Sequence, residues 1–100
     1  MQVHSVKDIS DAVTKGMKEG GLILSEEELS PIFFDLRSGL AGELLQKFVN
    51  YRVPLALVVK DPFARSQRFG ELARELKTHS MVRVFPALES ATAWMESKRL

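Results

Sequence analysis

The run Leu55-Ala56-Leu57-Val58-Val59 constrains this chain more than any other segment. Five apolar residues follow one another with no polar alternate, and Pro54 stands just before them. Successive side chains of a strand point to opposite faces, so an unbroken apolar run needs cover on both. That is the pattern of a central strand in a parallel sheet. Parallel neighbours cannot be joined by a tight turn, and each pair needs a crossover, usually a helix. The run therefore predicts an α/β layer architecture.

The flanking patterns supply the crossovers. Residues 6–19 read as a helix that starts with a capping box at Ser5 and Asp8 and ends at Gly20-Gly21. Val6, Ile9, Ala12, Val13, Gly16 and Met17 share its inward face. Leu22-Ile23-Leu24 reads as a buried strand, and the polar residues 25–28 as a loop. Ser30-Pro31 opens a helical turn through Ile32, Phe33 and Phe34. Ser38 caps the next helix, whose apolar stripe is Leu40, Ala41, Leu44, Leu45, Phe48 and Val49. Gly42 costs that helix about 1 kcal/mol relative to Ala, which implies a close backbone contact there.

Beyond the central run, Asp61-Pro62 reads as a turn. Ser66 caps a helix that faces inward through Phe69, Leu72, Ala73 and Leu76. Val82, Val84 and Phe85 form a third strand stopped by Pro86. The last helix buries Leu88, Ala91, Trp94 and Met95 and ends at the cations Lys98 and Arg99. Residues 1–4 can add a short strand. The expected fold is one α/β domain over residues 1–100, a small, mainly parallel sheet of about three or four strands with helices packed on it. Sequential and switched strand orders both fit. An open sheet edge invites a second copy of the chain, so a homodimer is expected.

Charge and composition narrow the function classes. Fourteen basic residues face 13 acidic ones, for a net charge of +1. A nucleic-acid binder needs a basic excess to displace counterions, and none is present here. No apolar run approaches the roughly 18 residues that span a bilayer, and the first ten residues hold no signal-peptide core. Cysteine is absent, which removes disulfides, thiolate nucleophiles and Cys-bound zinc and suits a reducing compartment. The expectation is a cytoplasmic protein with no membrane or nucleic-acid partner.

The stretch Phe33-Phe34-Asp35-Leu36-Arg37-Ser38-Gly39-Leu40-Ala41-Gly42-Glu43-Leu44-Leu45-Gln46-Lys47-Phe48 is distinctive. Together with Asn50-Tyr51-Arg52 and residues 55–59, it resembles the bacterial family called domain of unknown function 4180. The resemblance runs from about Lys7 to the last helix, and residues 33–52 are its most specific part. It implies an extra strand or hairpin ahead of the first helix, whereas this chain begins almost at the helix. More remotely, the strand-loop-helix pattern is similar to the STAS domain of anti-sigma factor antagonists. The resemblance implies an Asp-Ser-Ser-Gly-Leu-like turn whose first Ser is phosphorylated to release a partner. Matching Ser38-Gly39-Leu40 to that turn puts Arg37 at the phosphoacceptor position.

Residues that could carry chemistry gather where open α/β sheets usually bind ligands, beyond the carboxyl ends of the strands. Glu26, Asp61 and Arg65 follow the first two strands, with Asp35, Arg37 and Ser38 nearby in sequence. Their plain structural roles are a solvated loop for Glu26-Glu27-Glu28, a turn for Asp35 and a cap for Ser38. Phe33, Phe34 and Tyr51 are further surface candidates, with core packing the expected role of the two phenylalanines. His4 and His79 share no metal-ligand spacing, and no Gly-x-Ser-x-Gly elbow or phosphate-binding glycine loop occurs. No metal, cofactor or catalytic residue is therefore assigned. The expected function is a non-enzymatic regulatory or protein-interaction module that docks a partner at residues 35–39, the exposed face of the following helix and Tyr51. The alternative is a small-molecule or anion-binding protein, or a weak enzyme, that uses Glu26, Asp35, Asp61 and Arg65 at the strand ends.

Overall fold

A computed structural model describes residues 2–99, with the side chain of Arg99 outside the described set. The α-helices are α1 (Val6–Glu19), α2 (Leu40–Asn50), α3 (Pro62–Arg65), α4 (Gln67–Glu75) and α5 (Leu88–Arg99). The strands are β1 (Leu22–Ser25), β2 (Leu55–Val58) and β3 (Val82–Phe85). Short 3-10 turns at Glu26–Glu28, Pro31–Phe34 and Leu36–Ser38 carry the chain from β1 to α2.

All three strands are parallel, in the sequential order β1-β2-β3. Leu55 lies opposite Leu22 on one side and Val82 on the other, and Val58 opposite Ser25 and Phe85. The apolar run is thus the middle strand, with Leu55, Ala56, Leu57 and Val59 buried and Val58 half-buried. Pairing extends just past the strand, where the Val59 amide donates to the Phe85 carbonyl at 2.9 Å.

Alternation along the strands splits the core in two. Leu22, Leu24, Leu55, Leu57 and Val82 pack with Ile9, Val13, Leu44, Phe48 and Phe69. On the other face Ala56 packs with Ala91 and Met95, flanked by Ile23, Val58, Phe85 and Trp94. Two crossovers of one hand that step in one direction place their helices on one face. Accordingly α2 and α4 share the larger core with α1, and α5 alone covers the second face.

Local signals act as expected at most ends. Asp8 accepts from the amides of His4 and Ser5 at 2.9 and 3.2 Å, which closes the start of α1. Gly20 ends that helix at φ 76°, where a Cβ would be strained. The Ser66 hydroxyl accepts from the Phe69 amide at 3.0 Å to cap α4. Asp61-Pro62 departs from a simple turn. Asp61 accepts from the Ala64 amide at 3.3 Å and starts the one-turn helix α3. Near the N-terminus, Val3 forms a single parallel bridge to Leu29 in place of a strand. Met1 lies outside the described residues.

Four expected inward residues face out: Val6, Met17, Val49 and Leu88 are at least 40% exposed. Each sits on the flank or at the end of its helix's stripe, beyond the reach of the neighbouring element.

The close contact expected at Gly42 is absent, since a Cβ built there has no neighbour within 4 Å. Between α1 and α2 the close approach is at Gly16, where a Cβ would meet Val53 Cγ1 at 2.9 Å and Phe48 Cε2 at 3.0 Å; Gly21 and Gly70 are tighter still, against the Met95 and Phe63 side chains. Gly16 is therefore the point at which α1 descends onto α2. Helix α2 itself ends in a Schellman motif. The Val53 amide donates to the Phe48 carbonyl at 2.9 Å and the Arg52 amide to the Val49 carbonyl at 3.1 Å. The left-handed position of that motif, usually glycine, is held by Arg52 at φ 56°. An L-residue there costs roughly 1 kcal/mol.

The two glycines predict opposite outcomes in denaturant melts. Gly42→Ala is expected to stabilise by about 0.5–1 kcal/mol, and Gly16→Ala to destabilise by about 1–3 kcal/mol.

Candidate functional site

The carboxyl ends of β1 and β2 and the loops after them build a polar corner. Glu26, just after β1, accepts from the Lys60 amide at 3.0 Å and from Arg65 Nε at 2.9 Å. A second bond from Arg65 Nη2 completes a fork on Glu26 Oε1. Hence Glu26 is no freely solvated loop residue. Its side chain is 20% exposed and ties the end of β1 to the end of β2 and to α3. The Lys60 amide first, then the Arg65 guanidinium, hold its carboxyl below the usual range.

Arg65 also lies over the Phe34 ring, 4.9 Å from its centroid. Phe34 meets Phe69 edge-on at 4.9 Å and Phe33 at 5.5 Å, so the guanidinium rests on the rim of an aromatic core. Each such ring pair adds about 0.5–1.5 kcal/mol beyond area burial. The Ser66 hydroxyl donates to the Phe34 carbonyl at 2.9 Å while it caps α4. One hydroxyl therefore fixes both the helix start and the loop facing it.

An open groove of about 480 Å³ runs between these elements, lined by Phe34, Asp35, Arg37, Arg65, Gln67 and Arg68 among others. Asp35 accepts from Arg37 three times: from its amide at 3.1 Å, Nε at 3.1 Å and Nη2 at 3.2 Å. The Arg37 side chain, then its amide, lowers the Asp35 pKa, and Asp35 in turn raises that of Arg37. Ser38 donates to the Ile32 carbonyl at 3.0 Å and accepts from the Leu40 amide at 3.2 Å. It caps α2 from one position early, with Gly39 between them at φ 79°. The Arg68 side chain has no ion pair or hydrogen bond among the described residues. The first backbone N–H groups of α4, at Gln67 and Arg68, have no acceptor within the helix.

The structure thus brings Asp35, Arg37 and Arg65 together around one groove, with Glu26 behind Arg65 and Ser38 in the adjoining turn. Asp61 does not line the groove. Tyr51 stands at the far end of α2, an 11-residue helix about 16 Å long. The sequence reading missed Arg68 and Gln67. The cap at Ser66 was the available signal, because the two residues after a cap lie at the helix mouth. Among the described residues no three His, Asp or Glu side chains cluster as a metal site, and no helix is long and apolar enough to cross a membrane.

Glu26 supports a pH prediction. A carboxylate whose folded pKa is depressed stabilises the fold above its unfolded pKa, about 4.3 for glutamate, and loses this as pH falls through the folded value. Glu26→Gln is expected to cost about 1–2 kcal/mol in denaturant melts near pH 7, with the difference shrinking near pH 3.

A family model described as a domain of unknown function (DUF4180) matches residues 1–95. No curated protein and no solved structure matches the chain. The match takes in the three strands, the groove and most of α5. The chain belongs to the DUF4180 family.

Proposed function

We propose that the protein is a non-enzymatic interaction module, STAS-like in layout, whose strand-end groove receives an anionic group of a partner protein. The charge of the groove carries this: Arg37, Arg65 and Arg68 line it against the single carboxylate of Asp35. Arg37 and Arg65 are each oriented by their own carboxylate yet keep further N–H donors for a ligand. Arg68 is uncommitted, and the adjoining amides of α4 add partial positive charge. The STAS likeness is supported by the placement of residues 35–39 between a strand end and the mouth of α2. Ser38 acts there as a brace, so a phosphoryl switch at that hydroxyl is not part of the proposal.

A free anionic small molecule is the second reading. It is favoured by the unsatisfied amides of Gln67 and Arg68, which can hold a compact anion directly. We also take the protein to be a cytoplasmic homodimer. β1 and β3 are outer strands able to pair with another copy, and a cysteine-free chain suits a reducing cytoplasm.

Native mass spectrometry of the protein taken from its own cells tests all of this together. The wild type is expected to retain a protein partner, and Arg37→Glu/Arg68→Glu to lose it with the melting temperature unchanged. Retention of the same partner by the double variant overturns the proposal. A small bound molecule lost on the same substitutions selects the second reading. A monomer at micromolar concentration removes the dimer.

A further inference from the structure

The opposite end of the sheet carries a surface that the groove does not use. The Gly16 approach of α1 onto α2 leaves the ends of both helices beside the entry to β2. Two open hollows lie there, of about 180 and 470 Å³. Met17 and Tyr51 line both, so the two are halves of one cleft. Each of these large side chains is 56% exposed. Val13 lines the smaller half, and Val53, Pro54 and Met81 line the larger. Ser10 and Thr14 also line the smaller half, so the floor is mainly apolar only in the larger.

Its charged rim has one sign. Lys47 lines the smaller half, Arg52 and Lys98 the larger, and no carboxylate lines either. Neither Lys47 nor Arg52 has an ion pair among the described residues, and Lys98 rests over the Trp94 ring at 5.6 Å. Arg52 adds an independent observation. Among the described residues it is the one non-glycine at positive φ, in a motif where glycine would sit without strain. A strained non-glycine residue beside a cleft directs attention to the side chain it presents there.

We propose that this cleft docks an acidic protein segment bearing an apolar anchor. The anchor lodges between Met17 and Tyr51, and the flanking carboxylates meet Lys47, Arg52 and Lys98. Neither the observations nor the residues overlap with the strand-end groove, so the two proposals stand or fall separately.

The probe is a fluorescein-labelled synthetic peptide of glutamates flanking a Leu-Phe pair, followed by anisotropy. It is expected to bind the wild type below about 1 mM, and the lysine counterpart not to bind. Arg52→Gly is expected to weaken binding several-fold while raising the melting temperature by a few degrees, which separates lost recognition from lost folding. Lys47→Glu weakens binding likewise, and Arg37→Glu/Arg68→Glu leaves it unchanged. The proposal is overturned by no binding at about 1 mM, by equal affinity for the lysine peptide, or by full binding to Arg52→Gly. Loss of binding in Arg37→Glu/Arg68→Glu places the peptide in the other groove and also overturns it.

Discussion

Strand β2 must satisfy two neighbours and two faces at once. Its Leu55 pairs with Leu22 and Val82, and its alternating side chains reach both cores. Removing it would separate β1 from β3 and leave α5 with nothing beneath its middle. A three-stranded parallel sheet has a single internal strand, so every crossover starts or ends on this one. The helices are where they are because β2 offers no polar face on which they could be omitted.

That arrangement also decides where the loops meet. Parallel strands end together, and the loops after β1 and β2 therefore converge. Glu26 and Arg65, 39 residues apart in sequence, meet there in a charge-assisted fork. The aromatic rim under Arg65 and the double-bonded Ser66 hydroxyl hold the corner in one conformation. A groove walled by such groups presents oriented guanidiniums, and orientation reduces the entropy lost on binding.

The two ends of the sheet differ in kind. At the carboxyl ends, Arg37 and Arg65 are braced by Asp35 and Glu26, and, among the described residues, Arg68 stands free at the mouth of α4. At the amino ends, lysines and Arg52 surround a partly apolar cleft with no acidic partner on its walls. Helix α2 spans the distance between them, with Ser38 and Gly39 at one end and Tyr51 and Arg52 at the other. Residues 35–39 and Tyr51, expected from the sequence to share one docking surface, therefore lie at opposite ends of α2.

Burial pattern and end signals were legible in the chain itself. The apolar run at residues 55–59 pointed to a doubly covered middle strand, because a strand with no polar alternates needs cover on both faces. Ser5 with Asp8, Gly20, Ser66 and Pro31 marked element ends, because caps act within a few residues of themselves. Contacts between distant segments were decided only by the fold. Where α1 meets α2 the close glycine is Gly16, and Gly42 has open space, since the helices cross at α1's last turns. Arg68 joined the groove, and Tyr51 left it, for the same reason. A helix's sequence shows which stripe is apolar, but only packing decides where along the stripe a neighbour touches and which side chains meet at a mouth between elements.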